Sequence, residues 1–171
     1  MEKEILKFLE SLGCEKEVLK NTPSRFCRYL QDYTKGYDQK IGDIVGPTKG
    51  LFPNSSETVV RIKQIPFSSM CQHHLAPYFG TIYVSYQPDK YIIGLSKIPK
   101  IIDMLSKRLT VQEGLTEEIK IHLVNLLQPR MLKVCISARH SCLCRNIPYN
   151  VVTITTAKYR KKRTYLYSTE L

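Results

Sequence analysis

Residues 78–87, YFGTIYVSYQ, change face at every step, with Phe79, Thr81, Tyr83 and Ser85 on one side and Tyr78, Ile82, Val84 and Tyr86 on the other. Period-two alternation of this length specifies a strand in a sheet. Its surroundings narrow the architecture. Residues 58–68, TVVRIKQIPFS, read as a strand with Pro66 near its end, and Tyr91 to Gly94 as a short one. Ser96 opens a helix through Ile98, Ile101, Ile102, Met104 and Leu105. A second helix is expected from about Thr116, with Thr116 and Glu117 as cap residues and Pro129 as its stop. Residues 131–139 and 150–160 read as two more strands. Strand, strand, helix, helix, strand, strand predicts an α+β fold with the helices on one face of an antiparallel sheet.

The first third of the chain reads as helical. Ile5, Leu6, Phe8, Leu9 and Leu12 follow helical spacing. Asn21-Thr22-Pro23 is read as a helix start, with Thr22 as cap, and the helix is expected to run through Arg25, Arg28 and Tyr29 to about Tyr33 and to end at Gly36. Residues 46–57, rich in turn formers, read as a loop. The expected division is an N-terminal helical region (1–45), a connecting loop (46–57) and the main domain (58–171).

Charge and cysteine content bound the chemistry. The 26 Lys and Arg against 15 Asp and Glu give a net charge of +11, which favours anionic partners: nucleic acid, a membrane surface or a phosphorylated small molecule. The basic run Lys158 to Arg163 reads as a solvated strand end. No stretch approaches the roughly 20 apolar residues of a membrane span. The amphipathic N-terminus lacks the apolar core of a secretory signal, so a cytoplasmic location is expected. In that compartment six cysteines point to reduced thiols and metal binding rather than disulfides. Cys27 and Cys135 sit among apolar neighbours and read as core residues, as does Cys14 if it is not in a loop.

Met70-Cys71-Gln72-His73-His74 contains a Cys-x-x-His spacing, which lets a thiolate and an imidazole reach one ion from a turn. Two ligands do not hold zinc firmly. The segment Arg139-His140-Ser141-Cys142-Leu143-Cys144, also at a strand end, offers candidates for a third. Three protein ligands leave a coordination position for water, the arrangement of a catalytic zinc.

The chain resembles the GTP cyclohydrolase I family over nearly its whole length. The residues that carry the resemblance are Met70-Cys71-Gln72-His73-His74-Leu75-Ala76-Pro77, Gly94-Leu95-Ser96-Lys97, Arg108 through Thr116, His140-Ser141-Cys142 and Thr22-Pro23-Ser24-Arg25. The resemblance implies zinc bound by Cys71, His74 and Cys142, with His73 and His140 available for proton transfer. It implies that Glu113 accepts from N1–H and the exocyclic amine of guanine, with Gln112 beside it among the substrate-binding positions. Ser96 and Lys97 would lie near the ribose and triphosphate, and Arg25, Arg28, Lys100 and Arg145 would add positive charge for the phosphates. The implied reaction is attack of a zinc-activated water on C8 of GTP, ring opening, release of formate and rearrangement to 7,8-dihydroneopterin triphosphate. The implied fold is the tunnelling fold, a four-stranded antiparallel sheet with two helices on one face. The implied assembly is a homodecamer of two pentamers with active sites at subunit interfaces.

Three positions depart from the family pattern. Lys100 stands where Arg is usual, which keeps the charge and loses the bidentate grip. Arg145 falls one residue early, and the stretch 146–151 is short. The N-terminal helical region is short, and no regulatory extension is expected. Two rival readings differ in testable ways. A basic zinc-stabilised nucleic-acid module would bind DNA or RNA in a salt-dependent way, but it wants a fourth ligand. A sister enzyme acting on pterins or deazaguanines would use three histidines or a catalytic cysteine without zinc.

Overall fold

The computed structural model describes residues 1–48, 50–143 and 151–161. The chain begins with helices α1 (Glu2–Ser11) and α2 (Lys16–Thr34), a 3₁₀ turn (Lys35–Asp38) and the short helix α3 (Ile41–Val45). There follow β1 (Leu51–Pro53), β2 (Val60–Cys71), β3 (Ala76–Gln87), β4 (Tyr91–Ile93), α4 (Lys97–Ser106), β5 (Leu109–Thr110), α5 (Gln112–Leu127), β6 (Met131–His140) and β7 (Thr153–Arg160).

The main sheet has the order β5-β2-β3-β6-β7. Its four long strands are antiparallel throughout. The two-residue strand β5 lies parallel to the end of β2, pairing Leu109 with Met70 and Thr110 with Cys71. The expected four-stranded sheet is therefore present, with a short parallel addition at one edge. The alternation read in the sequence sets its faces. Tyr78, Ile82, Val84 and Tyr86 of β3 and Leu132, Val134, Ile136 and Ala138 of β6 are buried in one cluster with apolar residues of α4 and α5. Each such Ile or Leu contributes about 1.5–3 kcal/mol of burial free energy. The opposite face presents Phe79, Thr81, Lys133, Arg139 and Ile154 to solvent.

A bulge in β2 controls what reaches the end of the sheet. Ile62 pairs with Val84 and Ile65 with Ile82, so three steps on β2 match two on β3. Gln64 takes the extra residue in a left-handed conformation, with φ 56°. The inward set therefore passes from Val60 and Ile62 to Ile65, Phe67 and Cys71. Without the inserted residue, Cys71 would face away from the helices.

Four local expectations are corrected. First, α2 starts at Lys16 and runs through Pro23, so Thr22 is an interior residue and not a cap. Pro23 forfeits the bond to the carbonyl four residues back, but it is buried with Cys27 on one stripe of the helix. Tertiary packing of that stripe outweighs the local start signal. Second, Gly36 does not cap α2 with a left-handed turn. It lies in the 3₁₀ turn, where an added Cβ would come within 2.0 Å of the Met104 carbonyl oxygen. Third, α5 begins at Gln112, four residues before Thr116, whose hydroxyl donates back to the Gln112 carbonyl at 2.7 Å. Fourth, residues 51–53 of the expected loop form β1, which pairs with β4 in a separate two-stranded sheet.

The 3₁₀ turn and the end of α2 are tied to the segment after α4. Gly36 N–H donates to the Lys107 carbonyl at 2.9 Å and Arg108 Nε donates to the Gly36 carbonyl at 3.1 Å. Lys107 Nζ lies 4.8 Å from the centre of the Tyr33 ring.

Candidate active site

The ends of β2 and β6 and the start of α5 meet at one corner of the sheet. After β2, the chain turns at once. Leu75, with φ 49°, donates its N–H to the Cys71 carbonyl at 2.9 Å, closing a single turn over residues 71–75. That turn folds His74 back, so its Nδ1 lies 3.6 Å from Cys71 Sγ. On the neighbouring edge, His140 pairs with Tyr78, and Ser141 N–H donates to the Pro77 carbonyl at 3.1 Å. Leu143 N–H then donates to the His140 carbonyl at 3.1 Å, turning Cys142 towards the same point. The ligand atoms of Cys71, His74 and Cys142 all lie within 4.8 Å of one another.

This donor set fits zinc. Tetrahedral bonds of about 2.3 Å to sulfur and 2.0–2.1 Å to nitrogen imply ligand-to-ligand edges of roughly 3.5–3.8 Å. The Cys71–His74 separation of 3.6 Å already has that length. Burial pushes the Cys142 thiol above its ordinary value, and the neighbouring Cys71 sulfur pushes it the same way. Two such sulfurs ionise together only when a cation sits between them.

His73 and His140 stand differently beside this group. His73 is exposed on the turn, edge-on to His74 with ring centres 6.3 Å apart. His140 is half-buried, and its ring is stacked on Tyr78 with centroids 4.5 Å apart and planes 1° from parallel. Its Nε2 lies 2.8 Å from Gln112 Oε1. Burial holds its pKa below the ordinary histidine value, while the charge of Glu113 pulls it back up. Glu113 is exposed in the first turn of α5. β5 explains why it is there: its pairing with Met70 and Cys71, and the Gln72 N–H bond to the Thr110 carbonyl at 3.1 Å, deliver α5 directly to the corner that holds Cys71, His74 and Cys142.

The Gln112 side chain is buried, and both ends of its amide are spent on protein groups. Nε2 donates to the carbonyls of Ile136 at 3.3 Å and Thr153 at 3.2 Å and to Thr155 Oγ1 at 3.2 Å. Oε1 accepts from Thr153 Oγ1 at 2.5 Å. The remaining expected contacts are spread more widely. Ser96 is the exposed N-cap of α4 without a side-chain cap bond, and Lys97 Nζ donates to the Ile44 carbonyl at 2.8 Å. Lys100 lines a cleft of about 590 Å³ shared with Asp38, Asp43 and Asp103, none of them a member of the Cys71–His74–Cys142 group. Arg25 and Arg28 are exposed on α2, which packs chiefly on α1 and the 3₁₀ turn. Arg145 and Cys144 lie outside the described residues. Cys27 is buried, Cys14 and Cys135 are half-buried, and His122 is half-buried beside Arg108.

Sequence reasoning did not single out the polar layer behind His140. Tyr78 Oη lies 2.5 Å from Thr110 Oγ1, which is 2.8 Å from Ser69 Oγ. Thr116 and Thr155 hydroxyls are 2.6 Å apart. Threonines and tyrosines are ordinary strand residues, so their pattern carried no signal beyond strand.

The chain is 41% identical over 145 residues to GTP cyclohydrolase 1 of Chlorobaculum tepidum, covering 84% of this chain and 64% of that one. It is 35% identical over 158 residues to GTP cyclohydrolase 1 of Chlorobium chlorochromatii, covering 91% of this chain and 70% of that one. The chain thus spans about two thirds of the length of these relatives. In fold it is similar to the crystal structure of an archaeosine synthase QueF-like protein in the apo form, with a TM-score of 0.51, 17% identity, and coverage of 64% of this chain and all of that one. The profile of the GTP cyclohydrolase I family matches residues 1–165, and with that extent of agreement the chain belongs to the GTP cyclohydrolase I family.

Proposed function

We propose that this chain opens the imidazole ring of GTP, releases formate and converts the remainder to 7,8-dihydroneopterin triphosphate, using zinc held by Cys71, His74 and Cys142. The observation that carries this function is the convergence of those three ligand atoms within 4.8 Å, beside a histidine whose ring is fixed by Tyr78 and Gln112. When bound, zinc supplies Lewis acidity that makes a water nucleophilic near neutral pH.

The side chains divide the remaining work. Glu113 offers two carboxylate oxygens to the paired donors of guanine, which orients the purine and selects it over adenine. His140, whose pKa burial lowers, moves a proton between water and the opening ring. His73, exposed on the turn, serves as the second proton carrier. Ser96 and Lys97 receive the ribose and triphosphate. Lys97 must leave the part-buried Ile44 carbonyl to do so. Arg25, Arg28, Lys100 and Arg145 supply further charge for the phosphates.

The working form is a homo-oligomer, a decamer of two pentamers. The uncovered face of the sheet, with Phe79 50% and Ile154 68% exposed, supports this, because a lone subunit leaves those side chains wet. Arg25 and Arg28 would then serve a neighbour's site. The division at residues 45 and 58 separates the helices that reach across from the sheet that carries the zinc. Among the described residues no helix is long and apolar enough to cross a membrane, and a cytoplasmic location follows from the substrate. The partner is GTP rather than nucleic acid.

Incubating the purified, zinc-loaded protein with GTP tests the function. Formate and a fluorescent oxidised pterin should appear in equal amounts. Formate without pterin would mean that the reaction stops once the opened ring has been deformylated and before the ribose rearranges, and neither product would dismiss the assignment.

A further inference from the structure

The basic run at the end of β7 divides by strand alternation. Tyr159 turns inward and packs on the core, and Lys161 is held by Asp89 at 2.7 Å. Lys158 and Arg160 stand exposed on the outer face of the sheet. Lys133 of β6 pairs directly with Lys158 and is exposed on the same face. The row runs on through Ser85 to Arg61, which is also exposed. Opposed residues on neighbouring strands lie about 4.5–5.5 Å apart at Cα, and residues two apart on one strand about 6.6 Å. Lys133, Lys158 and Arg160 thus occupy three corners of one block of the sheet, with Met131, the partner of Arg160, at the fourth. The block borders a cleft of about 480 Å³, which Ser85 and Gln87 also line. Among the described residues no acid lines that cleft. Glu57 and Asp89, which lie at this end of the sheet, are engaged by Arg130 and Lys161.

Like charges placed directly opposite each other on two strands destabilise a sheet, so packing gives no reason for Lys133 to face Lys158. Protection of an edge strand accounts for lysine and arginine on β7, but β6 lies between β3 and β7 and has no open edge. A second copy docked face to face through this block would set cations against cations. We propose that the block is a binding site for a small molecule bearing two or more negative phosphoryl charges, separate from the corner that holds Cys71, His74 and Cys142. Arg160 offers forked donors to phosphoryl oxygens, and Lys133 and Lys158 act as point charges beside it. The aliphatic stems of the lysines and the Met131 side chain, 43% exposed, seat the rest of the molecule. The cleft has the volume of a small-molecule site. A nucleic-acid strand would want a longer track with rings to stack on. Seven steps of β6, about 23 Å, separate Lys133 from His140, so the two sites are filled separately and this one does not rest on the function proposed above.

Carbon-13 methyl NMR of the full chain, zinc-loaded and labelled at methionine, tests the site with inorganic triphosphate as the probe. Met131 stands in the block, and Met131→Leu identifies its signal. That signal should move and saturate below about 1 mM triphosphate. Replacing Lys133 and Lys158 together by Thr removes two charges, keeps strand-forming residues on an exposed face, and should weaken the binding at least about tenfold. Arg160→Gln, a second and independent variant, should weaken it in the same direction. Cys142→Ala should leave the Met131 response intact. A Met131 signal that stays still, or that moves equally in the double variant or with sodium chloride of equal ionic strength, overturns the proposal. A response to single-stranded DNA and none to triphosphate overturns it in favour of a nucleic-acid track. Should the protein bind triphosphate here and fail to turn over GTP, the function would fall and this site would stand.

Discussion

The two ends of the sheet handle polar groups in opposite ways. At the end where β2 and β6 finish, Ser69, Thr110, Gln112 and Thr116 are buried and joined with Tyr78, Thr153, Thr155 and His140 by hydrogen bonds. At the end where β2 and β6 begin, the polar groups are charged and wet. Arg130 bridges Glu57 at 2.8 Å and Asp89 at 3.3 Å, and Lys161 reaches Asp89 at 2.7 Å. Both ends must finish the same strands. Buried, neutral hydrogen bonds are concentrated at the first end, although Ile93 N–H also donates to the buried Tyr86 Oη at the second, and such bonds are costly to leave unmade and hold side chains in single orientations. Exposed ion pairs contribute at most about 1 kcal/mol each and fix little. The buried layer marks the end where geometry matters, and it is the end that carries Cys71, His74 and Cys142.

Substitutions can break this contrast, and the largest effect belongs to the metal. Cys142→Ala should remove stoichiometric zinc, measured by atomic absorption, and lower turnover by at least about a thousandfold; a variant with full zinc and normal turnover would remove Cys142 from the ligand set. Glu113→Ala comes next. Loss of two charge-assisted hydrogen bonds, each about 1.5–3 kcal/mol, should reduce kcat/KM for GTP by a hundredfold or more. An unchanged kcat/KM would place the purine elsewhere.

Tyr78→Phe sharpens the comparison from the stability side. The hydroxyl at 2.5 Å from Thr110 is lost inside the core, which should cost about 1–2 kcal/mol in urea unfolding. An unaltered midpoint would mean that the buried layer is no more valuable than the surface ion pairs. The smallest effect is expected at the opposite end. The hydrogen bond from Lys161 is the main cause that holds the Asp89 carboxyl below its ordinary value, with Arg130 acting the same way. A depressed folded-state pKa stabilises above the unfolded value and is lost as pH falls through the folded one. Asp89→Asn should therefore cost less than about 1 kcal/mol at pH 7, and the difference from wild type should vanish in acid. A cost above 2 kcal/mol, or one that grows in acid, would erase the distinction between the two ends.

The same contrast explains what could be read in advance. The α+β order, the two covering helices and the alternating faces of β3 follow from periodicity, which is local. The tunnelling fold of this family arrived through its motifs, as did the ligands Cys71, His74 and Cys142. The spacing in Cys71-Gln72-His73-His74 describes a turn that the structure contains. Local cues misled where burial outweighed them. Pro23 and Thr116 carry start signals but lie inside helices, because the apolar stripes continue across them. Turn formers between residues 46 and 57 hid β1, whose partner β4 lies some forty residues on.

Sequence alone thus determined the Cys71–His74 turn and the elements of the fold, because ligand spacing and hydrophobic period operate over a few residues, while Cys142 came only from the family resemblance. Tertiary structure decided the rest. The extra residue of the bulge between Ile62 and Ile65 turned Cys71 to the helix side, and the strand β5 brought Glu113 to the corner. The carbonyls of Ile136 and Thr153 oriented Gln112 against His140. Those outcomes depend on partners distant along the chain, and a hydrogen bond has no direction until both of its ends are in place.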